Sequence, residues 1–473
     1  MRETRVEVLD IESLRTVIDA DRLAEVQVAL GRMRSTLAGG RLWNVNSTAA
    51  GGGVAEMLAR VLGYQRAAGI DARWMVITGD ERFFAITKRL HHALHGMPGD
   101  GGSLGPTEHR HYRDVVAANA ETFLRLVRPG DVAVLHDPQV APLAAPLRAA
   151  GVATVWRCHV GADHTNEHTD RAWAFLRPHV EAADACVFSR REYVPAWMAG
   201  QVHVAPPTID PLSAKNQALG SDEVTGILAR IGLITCDGAE PAAHGSRALS
   251  KVHRRARIVR TGPAPHPAAP LFVQVSRWDP LKDPAGLMEA VVRLDLERYG
   301  CHLALVGPDV TEVADDPEGQ AVLQHCTSVW KALPAAQQAR IHLVSLPMAD
   351  TEENAWMVNA IQRHAAVVVQ KSLAEGFGLT VTEAMWKAKP VVASAVGGIQ
   401  DQIDDGTHGY LLPDPTDPDA VAGTLERILD APRDAATIAR RARARVQREF
   451  LDDRQLTDWA ALVDSLVGGE QAA

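Results

Sequence analysis

The chain has 473 residues, which as a soft prior points to two or three domains, and its 46% hydrophobic and 23% charged residues suit a globular protein with large buried cores. A formal charge of −9 excludes a generally basic surface and so argues against a nucleic-acid or anionic-membrane binder. The five cysteines are scattered and form no C-x-x-C pair, which excludes a zinc ribbon or disulfide framework and points to reduced thiols.

The residues from Met1 to Glu7 carry early acids and no apolar signal-peptide core. No window approaches the roughly 20 apolar residues of a membrane span, so a cytoplasmic location is expected. From about residue 42, short apolar runs alternate with amphipathic segments. A strand is predicted at 42–46 and a helix at 54–68, where Val54, Met57, Leu58, Val61 and Leu62 share one face and Gly69 closes the last turn. Further strands are predicted at 73–77, 132–135, 153–156, 185–188 and 203–205. Strands alternating with helices imply a parallel sheet covered on both faces.

The proline-rich run Pro206-Pro207-Thr208-Ile209-Asp210-Pro211 breaks this pattern, and residues 213–268 show no clear strand alternation. Within them, Lys251, Arg254, Arg255, Arg257 and Arg260 read as a solvated loop or helix face rather than an anion site. Alternation restarts with strands at 271–276, 302–306, 342–345, 366–370 and 391–393, separated by helices such as 352–364 and 379–387. Helices at about 433–448 and 454–467 end the pattern, and they are placed to cross back to the first domain. Two doubly wound domains in series put a ligand in the cleft between them, at the carboxyl ends of both sheets.

Four motifs carry chemistry. Ser47-Thr48-Ala49-Ala50-Gly51-Gly52-Gly53 joins a strand to a helix, where glycines let backbone N–H groups approach an anion. It is not a dinucleotide fingerprint, because Glu56 occupies the last glycine position, and a plain tight strand-to-helix turn is its alternative. Glu375-Gly376-Phe377-Gly378-Leu379-Thr380-Val381-Thr382-Glu383 runs from a strand into a helix, which suits a diphosphate at the helix start. Here Glu375 is a loop carboxylate free to meet sugar hydroxyls, while Thr380-x-x-Glu383 also spells a helix capping box. Arg277 and Lys282, five residues apart just after a strand, place a planar fork and a movable point charge within reach of one phosphate pair. Their alternative is a pair of surface ions beside Asp279 and Asp283. His159, in Trp156-Arg157-Cys158-His159, sits at a strand end, where it serves a sugar hydroxyl or is simply structural. His91 and His95, like His164 and His168, have helical spacing but no H-E-x-x-H, and no D-x-D tract follows a strand, so no metal site is expected.

Glu375 and Glu383, with Arg277 and Lys282 upstream, resemble the retaining glycosyltransferases of the GT-B fold, in particular the large family four. Asn46-Ser47-Thr48 with the following glycine turn is similar to the trehalose-forming branch of that family, the trehalose glycosyltransferring synthases. So are the blocks from Gly79 to Lys88, from Leu135 to Gln139, from Trp156 to His159 and from Glu375 to Lys389. The resemblance spans roughly residues 42 to 430 and implies an α/β fold of two Rossmann-like domains facing a central cleft. Residues 1–208 would form the acceptor-side domain, with a C-terminal helix at about 452–473 packing back on it. Residues 209–451 would bind the nucleotide sugar and include a linker or insert at about 213–268.

The same resemblance implies roles. Arg277 and Lys282 would neutralise the departing diphosphate, Glu375 would hold the donor sugar's hydroxyls, and Glu383 would bind the nucleotide ribose. Gly376, Phe377, Gly378 and Leu379 would offer backbone contacts to the donor, Gly51, Gly52 and Gly53 would close over it, and His159 would meet the sugar near its reacting carbon. The implied reaction moves glucose from ADP-, UDP- or GDP-glucose to glucose, giving trehalose by same-face displacement, with no cofactor and no metal in the chemical step. The partners are then a nucleotide sugar and a small sugar acceptor. The competing readings are a trehalose phosphorylase, a glycosyltransferase with another acceptor, a nicotinamide oxidoreductase and a non-catalytic sugar or nucleotide sensor. The nucleotide base and the oligomeric state, a homodimer included, stay open at this point.

Overall fold

The computed structural model describes residues 1–49, 52–198, 200, 202–235, 246–312 and 317–468. The chain forms two compact units, one from Met1–Asp210 with the segment from Phe450 onward and the other from Pro211–Glu449.

The first unit holds a seven-stranded sheet in the order β1-β3-β2-β4-β5-β6-β7. Its strands are β1 (Arg2–Thr4), β2 (Leu42–Asn46), β3 (Ala72–Val76), β4 (Val132–His136), β5 (Ala153–Cys158), β6 (Ala185–Phe188) and β7 (Val202–Val204). All neighbours pair in parallel except β1, which lies antiparallel along β3. The central strands β2, β4 and β6 are buried along their whole length, as parallel strands covered on both faces must be. Helix α1 (Ala20–Leu37) was not anticipated from the sequence. Asp19 caps it, and Leu23, Val26, Leu30, Met33 and Leu37 fall at helical spacing on its buried face. Helix α2 (Gly53–Ala67) follows β2, and α3 (Glu81–Leu94), capped by Asp80, follows β3.

The second unit repeats the architecture with the order β14-β13-β12-β9-β10-β11-β8. The strands are β8 (Arg257–Val259), β9 (Leu271–Val275), β10 (His302–Pro308), β11 (Ile341–Leu346), β12 (Val367–Gln370), β13 (Val391–Ser394) and β14 (Tyr410–Leu412). The segment 213–268 is not structureless. It contains helix α4 (Ser221–Ile231) and the edge strand β8, which pairs antiparallel to β11. The basic run there is stitched down. Arg254 donates to Glu353 at 2.7 Å, Lys251 lies 3.2 Å from Glu352, and Arg257 lies 3.1 Å from Asp309. Helices α5 (Pro284–Val291), α6 (Thr351–His364) and α7 (Leu379–Trp386) follow β9, β11 and β12. The chain then returns to the first unit through α8 (Asp452–Gly468), which packs along α1. There Arg22 pairs with Asp453, and Thr36 donates to Asp464 at 2.6 Å.

Cys158, Cys186, Cys301 and Cys326 are buried and unpaired, and Cys236 lies outside the described residues. Among the described residues, no helix is long and apolar enough to cross a membrane.

In the second unit His302 and His342 stack with ring centroids 5.3 Å apart. Arg340 can only donate, so His302 Nε2 accepts from it at 3.3 Å and His302 Nδ1–H donates to His342 Nε2 at 3.1 Å. Burial pushes His302 down to about 4 and His342 down to about 3. Below the unfolded value of about 6.5, the unfolded chain takes up protons that the folded rings refuse, so stability present at neutral pH is lost as pH falls. Each ring is expected to contribute about 2 kcal/mol of destabilisation at pH 5 relative to pH 7.5. Unfolding midpoints measured at both pH values should fall less in His342→Gln than in the wild type. An equal fall in the two proteins counts against the linkage.

Candidate active site

In the second unit the chain runs from β9 outward through β10 and β11, then returns to the other side of β9 as β12. β9 and β12 are parallel neighbours, with Val367 beside Phe272 and Val368 beside Val273, yet their outgoing connections diverge. Such a switch point leaves a crevice at the carboxyl ends of the strands, where ligands of doubly wound sheets bind. The two loops lining it are 276–283 and 371–378, and Leu373 N–H donates to Leu281 O at 2.7 Å to tie one to the other.

Lys282 projects from the first loop to Glu375 on the second, with Nζ 2.6 Å from Oε2. Ser372 Oγ donates to the same carboxylate oxygen at 3.3 Å. Glu375 is therefore a paired carboxylate rather than a free one, because strand adjacency delivers the lysine beside it. Arg277 is 60% exposed and held by Asp279 at 2.8 Å. Asp279 also accepts from Leu281 N–H at 2.9 Å. The two cations thus share a loop, but each rests on its own carboxylate. Trp278 is buried, and its indole N–H donates to Pro308 O at 2.9 Å. A side chain on Gly307 would lie 2.5 Å from that indole.

Gly378, at φ +88°, is the N-cap of α7 and has no side chain to cap it, so the first turn lies at the positive end of the helix dipole. Phe377 is different. Its ring is buried, and its carbonyl accepts from Gln402 at 2.6 Å, so it anchors the loop. A Cβ on Gly398 would come within 2.6 Å of the Phe377 ring and 2.8 Å of its Cα. The helix geometry removes the capping-box explanation of Glu383. With Gly378 as the N-cap, Thr380 is already the second helical residue. The Glu383 carboxylate turns instead towards Gln362 Nε2 at 3.4 Å and Lys215 Nζ at 3.7 Å, and only 6% of the residue is exposed.

The first unit has its own switch point, between β2 and β4, because β3 lies on one side of β2 and the later strands on the other. The glycine turn follows β2. Gly51 lies outside the described residues, Gly52 adopts φ +90° as the N-cap of α2, and Gly53 is the first helical residue. At the ends of β4 and β5 stand His136, Asp137 and His159. Asp137 holds a left-handed backbone (φ 66°), and its carboxylate accepts from His159 N–H at 2.8 Å. Burial pushes Asp137 up to about 7, against the pull of that hydrogen bond and of Arg157. Arg157 is fully buried and donates from Nε to His159 Nε2 at 3.2 Å and from Nη2 to Ala205 O at 3.0 Å. The His136 ring stacks on His159, with Nδ1 3.1 Å from the same Nε2. Burial, reinforced by Arg157 and His136, holds His159 well below the ordinary imidazole range. It is therefore neutral, with Nε2 accepting and the proton on Nδ1, which has no partner among the described residues. A fixed neutral donor of this kind suits a hydroxyl oxygen.

The sequence did not single out Asp137, Arg157 or Lys215 as parts of the site. Only the Leu135 to Gln139 and Trp156 to His159 blocks marked the first two, and nothing in the pattern marked Lys215. The spaced histidines are tied locally: His91 meets His95 edge to face at 5.0 Å, and His95 Nδ1 lies 3.0 Å from Gly161 O. Among the described residues, no three His, Cys, Asp or Glu side chains converge as a metal would require.

Two doubly wound sheets, each with its own switch point, form the architecture of the GT-B class of glycosyltransferases. The family model for the N-terminal domain of trehalose synthase matches residues 44–195, and that for glycosyl transferases group 1 matches residues 263–445. Trehalose synthase from Rubrobacter xylanophilus is 35% identical, with 96% of each chain covered. That from Pyrococcus horikoshii is 32% identical, with 97% of each chain covered. The chain belongs to the trehalose synthase family. Among solved structures, α,α-trehalose-phosphate synthase (UDP-forming) from Burkholderia xenovorans, in complex with glucose-6-phosphate, superposes with a TM-score of 0.64 at 17% identity. The match covers 91% of this chain and 100% of that one, a likeness of fold.

Gly398→Ala is expected to destabilise the second unit by about 1–3 kcal/mol, because the methyl must displace Phe377 and the loop it anchors. Denaturant unfolding measures this, and a change below about 0.5 kcal/mol would show that the loop yields without cost.

Proposed function

We propose that this chain is a retaining hexosyltransferase that carries glucose from a nucleoside diphosphate glucose to glucose and forms trehalose. The observation that carries the reading is the Lys282–Glu375 pair at the second unit's switch point, next to the uncapped start of α7. Breaking the anomeric C–O bond builds negative charge on the diphosphate and oxocarbenium character on the sugar. Lys282, Arg277 and the N–H groups around Gly376, Gly378 and Leu379 meet that negative charge with preset positive ends, where their effect is greatest if water is excluded. Glu375, oriented by Lys282 and Ser372, accepts hydrogen bonds from the sugar's hydroxyls, and Glu383 binds the ribose. His159 Nδ1–H donates to a sugar hydroxyl near the reacting carbon, and Gly52 and Gly53 at the start of α2 offer their backbone to the donor.

The acceptor hydroxyl attacks from the face the diphosphate leaves. A phosphate oxygen takes the acceptor's proton as the new C–O bond forms, so configuration is retained without a protein base beneath the ring. The step draws its positive charge from side chains and helix dipole, and positioning the two sugars supplies a further several kcal/mol of barrier reduction.

Incubating the protein with ADP-, UDP- or GDP-glucose and glucose, then identifying the disaccharide and its linkage, tests the reading. Trehalose with the donor's α configuration retained is expected. Release of glucose 1-phosphate from trehalose and inorganic phosphate, without nucleotide, would overturn it in favour of phosphorolysis. Lys282→Ala and Glu375→Gln should each lower kcat by about 100-fold or more while leaving the fold intact. Near wild-type rates in both would remove the site assignment.

A further inference from the structure

The segment that opens the second unit, residues 213–217, has no regular structure but is bound tightly to one face of α6 and α7. Asn359 Nδ2 donates to Ala214 O and Gln217 O, both at 2.9 Å. Arg363, oriented by Asn359 Oδ1 at 2.8 Å, donates to Asn216 O at 3.0 Å and Gln217 O at 2.8 Å. Trp386 Nε1 donates to Asn216 O at 3.1 Å, and Lys387 Nζ to Asn216 Oδ1 at 3.0 Å. Asn359 and Arg363 are one turn apart on α6, and Glu383 and Trp386 of α7 share a face with Lys387 at its C-cap. Two helices thus commit one face each to fixing a short turn. What that turn carries to the site is Lys215.

Lys215 Nζ lies 3.7 Å from Glu383 Oε1, with 21% of the lysine side chain and 7% of the glutamate side chain exposed. The Lys387 ammonium binds the Glu383 main-chain oxygen at 3.2 Å and feels the carboxylate's charge, whereas Lys215 stands within ion-pair distance of a carboxylate oxygen itself. Among the described residues, the carboxylate otherwise meets only Gln362 Nε2, at a long 3.4 Å. A carboxylate offers about four acceptor positions, so most of its capacity is unspent. A charge this buried is costly to maintain unless a cation stands beside it. We propose that Lys215 is a positioning residue for nucleotide binding: it holds the Glu383 carboxylate in place so that the carboxylate accepts hydrogen bonds from the ribose hydroxyls. The proposal rests on the reading of Glu383 as the ribose-binding carboxylate. It adds that the segment preceding α4 serves the site.

The test measures calorimetric dissociation constants of the full chain for ADP and UDP and for their 2′,3′-dideoxy counterparts. Wild type, Lys215→Met, Lys215→Arg and Glu383→Gln are compared. Lys215→Met is expected to weaken the preferred ribonucleotide about ten-fold and its dideoxy counterpart by less than about two-fold, as coupling between neighbouring groups of this kind allows. Lys215→Arg should restore most of the loss. Equal losses for both nucleotides, or no loss, overturn the proposal. If Glu383→Gln separates ribo from dideoxy binding while Lys215→Met does not, the role of Lys215 falls and that of Glu383 survives. If Glu383→Gln itself fails to separate them, the ribose assignment falls and the proposal with it. Should Lys215→Met not fold, Lys215→Gln carries the same comparison.

Discussion

The parallel pairing of β9 with β12 governs the candidate site. These strands are adjacent in the sheet but far apart in the chain, and their exits lead in opposite directions. Two loops therefore end side by side with no strand crossing between them, and side chains from each meet across the gap. Lys282 reaches Glu375 for this reason, and the Leu373–Leu281 main-chain hydrogen bond keeps the meeting in register. An uncapped helix start, a buried carboxylate and a held arginine all take their positions from the same junction.

Arginine has a second use in the molecule. Arg157 and Arg340 each donate to a histidine ring and so fix which nitrogen carries the proton. Both histidine pairs are neutral at physiological pH because burial opposes their charging. In the second unit the result is a packed element of the sheet. In the first it is an oriented N–H at the switch point, a donor that does not have to be held against competing tautomers. The left-handed backbone at Asp137 belongs to the same arrangement, since its carboxylate secures the main chain of His159. A non-glycine residue in that region costs free energy, and such costs gather at functional sites.

The central parallel strands were legible in the sequence because burial on both faces makes them continuous apolar runs bounded by turn residues. The edges were not. β1, β8 and β14 have three residues each, and one ladder does not leave enough periodicity to read. The loop motifs with Arg277, Lys282, Glu375 and Glu383 stood out because chemistry-bearing residues cluster after strands. Their pairing did not, since contact between the two loops depends on strand order. Lys215 was invisible for a similar reason. Its neighbours are drawn from two helices more than a hundred residues away, and the segment around it has no pattern of its own. The capping-box alternative at Thr380 was plausible in one dimension and disappeared once the helix start was located at Gly378.

The return of α8 to α1 bears on biosynthesis. The second unit is one uninterrupted stretch of chain, so every partner it needs is present once Glu449 has left the ribosome. The first unit is split around it. The apolar stripe of α1, with Leu23, Leu30 and Met33, has to wait for α8 while the whole second unit is made. Non-local contacts of this span are slow to form and leave apolar surface exposed in the meantime. Translation order and assembly order therefore differ: the half begun first is finished last.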